Sequence, residues 1–169
     1  MRKRDGSYEP LCLQQIQDKI ARLSTGLCVS TTMVALRVCD SLVDGICTSD
    51  IDEISAETAM ELYTTHTDYE RLAVRLLVDN MHRNTSGGFT ACMQQLHRCG
   101  RVSSAFIAVV QSIEGVDELV DTRVDGELSF FGLMTLVKNK YLLRDERDRV
   151  VELPCYMWLR VAIGIHIDN

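Results

Sequence analysis

No stretch of this sequence approaches the roughly 18 apolar residues that a membrane-spanning helix needs. Met1-Arg-Lys-Arg-Asp leads into polar residues, so the apolar core of a signal peptide is missing too. Clustered positive charge is also lacking. The net charge is −6, which disfavours a nucleic-acid surface, because backbone binding needs grouped Lys and Arg to displace counterions. A few local cations still permit phosphate binding. The seven cysteines include no C-x-x-C pair and no histidine at finger spacing. Their odd number argues against a complete disulfide framework, and reduced, buried thiols of a cytoplasmic protein are expected. Neither G-x-x-x-x-G-K-[ST] nor G-x-G-x-x-G occurs, and the histidines at 66, 82, 97 and 166 are too scattered for a metal cluster.

What is present is ordinary in composition and ordered in pattern. Apolar residues make up 46% and charged residues 25% of the 169 positions, as in a soluble globular protein. That length buries one full core, or one small core with part of another. The opening reads as a short β-hairpin turned at Asp5-Gly6 and ended by Pro10. Helical spacing begins near Leu13, with Ile16, Ile20, Leu23 and Leu27 in phase and Gly26 at its end. A second helix is expected from about Ser30, carrying Val34, Val38 and Leu42 to a stop near Asp44-Gly45. Ser49 and Asp52 stand at capping-box spacing and place the start of a third helix, with Ile51, Ile54, Thr58 and Leu62 inward. His66–Tyr69 is a break where Thr67 and Glu70 repeat the capping pattern. Leu72, Leu76 and Leu77 then drive a fourth helix to about Thr85. The fold class is mainly α: over residues 1–88, a short β-hairpin capping a four-helix bundle.

Ser86-Gly87-Gly88 is the natural boundary, being small and flexible at a helix end. Residues 89–169 form a second, helical part, with helices expected at about Phe89–His97, Ser103–Ile113 and Phe130–Leu143. Arg144–Arg149 reads as a solvated charged turn, and Leu153-Pro154 opens a last helix through His166. That helix carries Tyr156, Met157, Trp158, Leu159, Val161, Ile163 and Ile165, apolar nearly all round. Such a helix expects cover on every face, so the expectation is a truncated chain whose missing part completes the core.

Lys3-Arg4-Asp5-Gly6 followed by Glu9 is the first of a series of fragments in one register. Ile20-Ala-Arg-Leu23 with Gly26-Leu27, Gly45-Ile-Cys-Thr48 through Asp52, and Ala56-Glu57-Thr58-Ala59 follow. His66-x-Asp68-Tyr69, Leu72-Ala73, Arg75 and Asn80-x-His82 complete it. Together they resemble the ATP-cone at the N-terminus of the ribonucleotide reductase large subunit. Phe131-Gly132-x-x-Thr135-Leu136, Tyr141-Leu142-Leu143 and Arg160-Val-Ala-x-Gly164-Ile165-His166 are similar to the segment that leads into that family's catalytic α/β barrel. The fit is poorest at residues 96–120.

The resemblance implies the allosteric region of a class I ribonucleoside-diphosphate reductase, an oxidoreductase of deoxyribonucleotide synthesis. Its effectors are ATP and dATP with Mg2+, and its partners a radical-generating small subunit and further copies of itself, with neither nucleic acid nor membrane. Carried onto this sequence, Lys3 and Arg4 face the phosphates, Glu9 and Asp52 the sugar or base, and Thr48 makes a nearby polar contact. Gln15 and Ile16 belong to the same effector site, Gln15 standing in place of a lysine typical of the family. Arg83 stands where a lysine is common, replacing a point cation with a planar fork. No catalytic, cofactor or metal residue is implied. The family's redox and radical cysteines lie beyond the matched region, so this chain alone is expected not to reduce a ribonucleotide.

Each of these residues has a plainer reading from the sequence itself. Lys3 and Arg4 are also what a solvated surface carries, Asp52 is also a capping partner for Ser49, and Arg83 also suits a helix C-terminus. Leu153-Pro154-Cys155-Tyr156 replaces the family's R-P-Q-H, and Leu128-Ser-Phe-Phe131 departs from its Asp-Tyr element. A second reading therefore stands beside the first: a degenerate cone acting as a helical interaction module without nucleotide. A third, a nucleotide-sensing transcription regulator, is weakened by the acidic charge and the absence of zinc-ribbon cysteines.

Overall fold

Ile16 and Ile20 lie one helical turn apart and both go inside, which fixes the inner face of the first helix. The computed structural model describes residues 1–3, 6–10, 12–85 and 87–166. It divides into two compact units, Met1–Asn80 and Met81–Asn169, with the division falling inside one helix.

In the first unit the opening segment folds back on itself. Arg2 pairs antiparallel with Tyr8 and parallel with Cys47. The Lys3 amide donates to the Ser7 carbonyl at 2.8 Å and the Glu9 amide to the Met1 carbonyl at 3.0 Å. Gly6 takes φ +89° at the turn, a conformation that favours glycine; Arg4, Asp5 and Leu11 lie outside the described residues. Helices α1 (Leu13–Leu23), α2 (Thr31–Asp40), α3 (Thr48–Glu61) and α4 (Asp68–Asn84) follow. α1 packs on α2 and α2 on α3, around Ile20, Val34, Val38, Ala56, Ala59, Leu72 and Leu76.

Polar latches hold α4 to the ends of its neighbours. Arg75 Nη1 donates to the carbonyls of Leu23 and Thr25, both at 2.9 Å, satisfying acceptors that the end of α1 leaves open. Asp68 accepts from the Cys28 amide at 2.8 Å, and the Tyr69 hydroxyl accepts from the Ser30 amide at 3.0 Å. Ser30 caps α2, accepting from the Met33 amide at 3.3 Å. α2 stops at Asp40, before the expected Asp44-Gly45, because the Ser41 and Leu42 amides close tight turns onto Val38 and Cys39.

The second unit contains α5 (Phe89–Arg98), α6 (Ser104–Ser112), α7 (Phe130–Lys138) and α8 (Pro154–Ile165). Ser103 and Ser129 cap α6 and α7 through their hydroxyls. Two short 3-10 segments, Val116–Leu119 and Thr122–Glu127, join them, a span in which the sequence shows no helical period. α7 ends at Lys138, short of the expected Leu143. Lys140 enters the left-handed region at φ +59°, and the Tyr141 amide returns to the Leu136 carbonyl at 3.0 Å.

The charged run Arg144–Arg149 is a clamped turn, which corrects the expectation of a merely solvated one. Arg144 bridges Val150, and Asp145, only 5% exposed, accepts from the Arg147 and Arg149 amides at 2.9 Å. Arg149 closes on the same carboxylate with Nε at 2.8 Å and Nη2 at 2.6 Å. Beside it the fully buried Glu152 accepts from Arg160 Nε at 2.6 Å and the Leu143 amide at 2.8 Å.

α8 buries Cys155, Tyr156, Met157 and Ile163 and leaves Trp158, Val161 and Ile165 exposed. Tyr156 meets Phe89 edge to face at 5.8 Å, worth about 1 kcal/mol beyond the area buried. The cysteines are all free, but only Cys92 and Cys155 are buried. Cys12 and Cys28 are exposed, so the expectation of buried thiols holds for only part of the set: Cys12 is the extended N-cap residue ahead of α1, and Cys28 lies in the loop after it.

Candidate functional site

The backbone of Arg2 ties the opening segment to the start of α3. Its amide donates to the Ile46 carbonyl at 2.8 Å, and its carbonyl accepts from the Thr48 amide at 3.0 Å. A donor that a helix start leaves open is thereby satisfied by main chain. Cys47 is the N-cap residue and provides no side-chain cap; its Sγ accepts from Arg2 Nη2 at 2.9 Å.

The capping box expected from Ser49 and Asp52 does not form. With Cys47 at the N-cap, Asp52 is two residues deeper than a capping partner should be. The Ser49 hydroxyl donates instead to Asp50 Oδ1 at 3.2 Å, and its carbonyl accepts from Asn80 Nδ2 at 3.3 Å. Asp52 turns inward and is 6% exposed.

There Asp52 meets a cation that sequence reasoning passed over. Lys19 Nζ, on α1, lies 2.6 Å from Asp52 Oδ1 and 2.9 Å from Asp79 Oδ2 on α4. Asp79 Oδ1 in turn accepts from Arg22 Nη2 at 3.0 Å. The Lys19 ammonium is shielded from solvent, and its contacts are ion pairs whose angles fall short of hydrogen-bond geometry. Signs alternate along Asp52, Lys19, Asp79 and Arg22, which is how charge survives burial. The signal in the sequence was modest: a lysine one turn past Gln15, on a helix whose Ile16 and Ile20 point inside.

The other candidates fall as follows. Lys3 contacts Glu9 directly, and both side chains are about two-fifths exposed. Lys3 follows Arg2 and Thr48 follows Cys47, so the Arg2–Cys47 pairing brings the Lys3–Glu9 pair to the start of α3. Asp52 lies one turn beyond Thr48 on the same face. Ile16 is buried and packs in the core, while Gln15 is exposed on the next position of α1. Arg83 is exposed in the last turn of α4 and belongs to the second unit. Arg4 lies outside the described residues.

This end of the first unit offers one half-exposed ammonium at Lys3, a hydroxyl at Thr48, the positive end of the α3 dipole, and carboxylates at Glu9 and Asp52. Such a set suits an anionic ligand that also carries hydroxyl or amino donors. Among the described residues, no group of three or more His, Cys, Asp or Glu is arranged to hold a metal ion. No described helix is long and apolar enough to cross a membrane.

The ATP cone domain matches residues 1–84, and the ribonucleotide reductase all-alpha domain matches residues 126–169. The ribonucleoside-diphosphate reductase large subunit of Arabidopsis thaliana is 34% identical over 180 residues, covering 99% of this chain. Its counterparts in Caenorhabditis elegans and Schizosaccharomyces pombe are 34% and 32% identical at the same coverage. The chain belongs to the ribonucleotide reductase large-subunit family. It spans about a fifth of the length of these relatives, 22% of the Arabidopsis thaliana protein. The cone match takes in the opening segment and α1 to α4, and the all-alpha match takes in α7, the clamped turn and α8.

Proposed function

We propose that this chain is the effector-sensing region of a ribonucleoside-diphosphate reductase large subunit, binding ATP and dATP at the start of α3. The observation that carries the reading is the pairing of Arg2 with Cys47, since it joins Lys3 and Glu9 to Thr48, one turn from Asp52. Lys3 then meets the triphosphate with help from the α3 dipole, while Glu9 and Asp52 accept from the base and sugar. Gln15, exposed on α1, offers a neutral amide there. Arg4 is a further cation of this reading. A Mg2+ ion arriving with the nucleotide would be carried by the phosphates. The partners that go with this reading are a radical-generating small subunit and further copies of the large subunit.

A melting curve with and without millimolar nucleotide tests the reading. An upward shift that Asp52→Ala abolishes in a folded protein supports it, and an Asp52→Ala chain that binds unchanged removes Asp52 from the site.

One observation favours the alternative of an interaction module without nucleotide. Lys3 is already taken by Glu9 and Asp52 by Lys19, so a ligand must displace or share internal partners. That alternative predicts no shift with either nucleotide, together with association between this chain and a reductase subunit.

A further inference from the structure

Three helices each give a charged side chain to the chain of ion pairs behind Asp52: Lys19 from α1, Asp52 from α3 and Asp79 from α4. Lys19, Asp52 and Asp79 are 15%, 8% and 17% exposed at their side chains, whereas Arg22 at the outer end is 55% exposed. The network thus runs from solvent inward to the carboxylate assigned to the effector. A lysine is a flexible stem with a point charge and by itself fixes little. Here its ammonium lies between two carboxylates, one of which also accepts from Arg22. The 2.6 Å ion pair with Lys19 anchors Asp52 Oδ1 and biases the plane of its carboxylate. An ionised carboxylate only accepts hydrogen bonds, and it accepts best near that plane.

We infer that Lys19 and Asp79 are positioning residues that set how Asp52 reads the sugar of the bound nucleotide. This rests on the effector-site reading above. ATP and dATP carry the same base and phosphates and differ by one sugar hydroxyl. Contacts of Lys3 or the α3 dipole with phosphate weigh equally on both. A tilted Asp52 carboxylate weighs on them unequally, so the ratio of the two affinities reports its orientation.

The test is an equilibrium titration of the full chain with ATP and with dATP, for the unaltered protein, Lys19→Met, Lys19→Arg and Asp79→Asn, with folding checked by circular dichroism. Lys19→Met is expected to change the ATP-to-dATP affinity ratio by roughly tenfold, the scale of one charge-assisted contact. Asp79→Asn should move the ratio the same way by less, and Lys19→Arg should keep it near the original. If Lys19→Met does not fold, Asp79→Asn carries the comparison. A purely structural role would lower the melting temperature and leave the ratio unchanged in folded protein, which overturns the inference alone. A chain that binds neither nucleotide overturns the effector-site reading, and the positioning role falls with it.

Discussion

Burial treats the seven thiols differently, and their chemistry should follow. Cys92 is pushed up to about 12 by burial and then by the nearby charge of Glu152. Cys155 is likewise pushed up to about 12, by burial and then by Asp125, whose Oδ2 lies 3.3 Å from its Sγ. Since the thiolate is the reactive form, both should resist a thiol reagent at pH 8 while the exposed Cys12 and Cys28 react at once. Timed labelling with mass spectrometry, with and without denaturant, checks this. Labelling of Cys92 or Cys155 in folded protein contradicts it. Asp145 is a second residue-scale case. Burial raises its pKa, but the Arg149 side chain and the Arg149 and Arg147 amides outweigh burial and hold it below the usual carboxylate value. A depressed folded pKa gives stability that is present above the unfolded value, about 3.9, and is lost as pH falls through the folded one. Asp145→Asn should therefore be less stable than the parent at pH 7, with the gap closing as pH drops below about 4. Urea melts at pH 7 and pH 3 measure it, and a gap independent of pH would contradict the account.

At the scale of elements, helical periodicity carried far. Ile16 with Ile20, Val34 with Val38, and Leu72 with Leu76 are all buried on the expected faces, and α1 and α8 begin where the sequence placed them. Ends were less legible where a distant segment or a backbone twist sets them. The start of α3 is fixed by the Arg2 backbone, a partner far away in sequence, so the local Ser49–Asp52 spacing pointed to the wrong device. The end of α7 is fixed by a left-handed Lys140, and lysine gives no notice of that conformation. This makes Lys140→Gly informative: removing the Cβ should relieve about 1 kcal/mol of left-handed strain. A denaturant midpoint that rises without a change in slope would match, whereas a fall would mean that Lys140 contributes more through its contacts than it loses in strain. The candidate site was half legible for the same reason. Lys3, Glu9, Thr48 and Asp52 stood out in sequence, but Lys19 and Asp79 gain their role only when α1, α3 and α4 meet.

On the scale of the whole molecule, two units carry two different matches, an ATP cone and a reductase all-alpha domain. The second unit has its own core around Phe89, Met93, Leu96, Leu133 and Leu142, and its last helix keeps an open stripe at Trp158, Val161 and Ile165. The functional proposal rests on the first unit, where Lys3, Glu9 and Asp52 already have internal partners to exchange. The most direct measurement is the melting temperature of the chain in millimolar ATP, in millimolar dATP and in neither, for the parent and for Asp52→Ala. Binding to the folded state alone adds about 2.7 kcal/mol when free ligand reaches 100 times Kd. An effector site at the start of α3 requires a clear upward shift with nucleotide that Asp52→Ala removes; a folded parent whose melting temperature is the same in all three solutions would show that no such site exists.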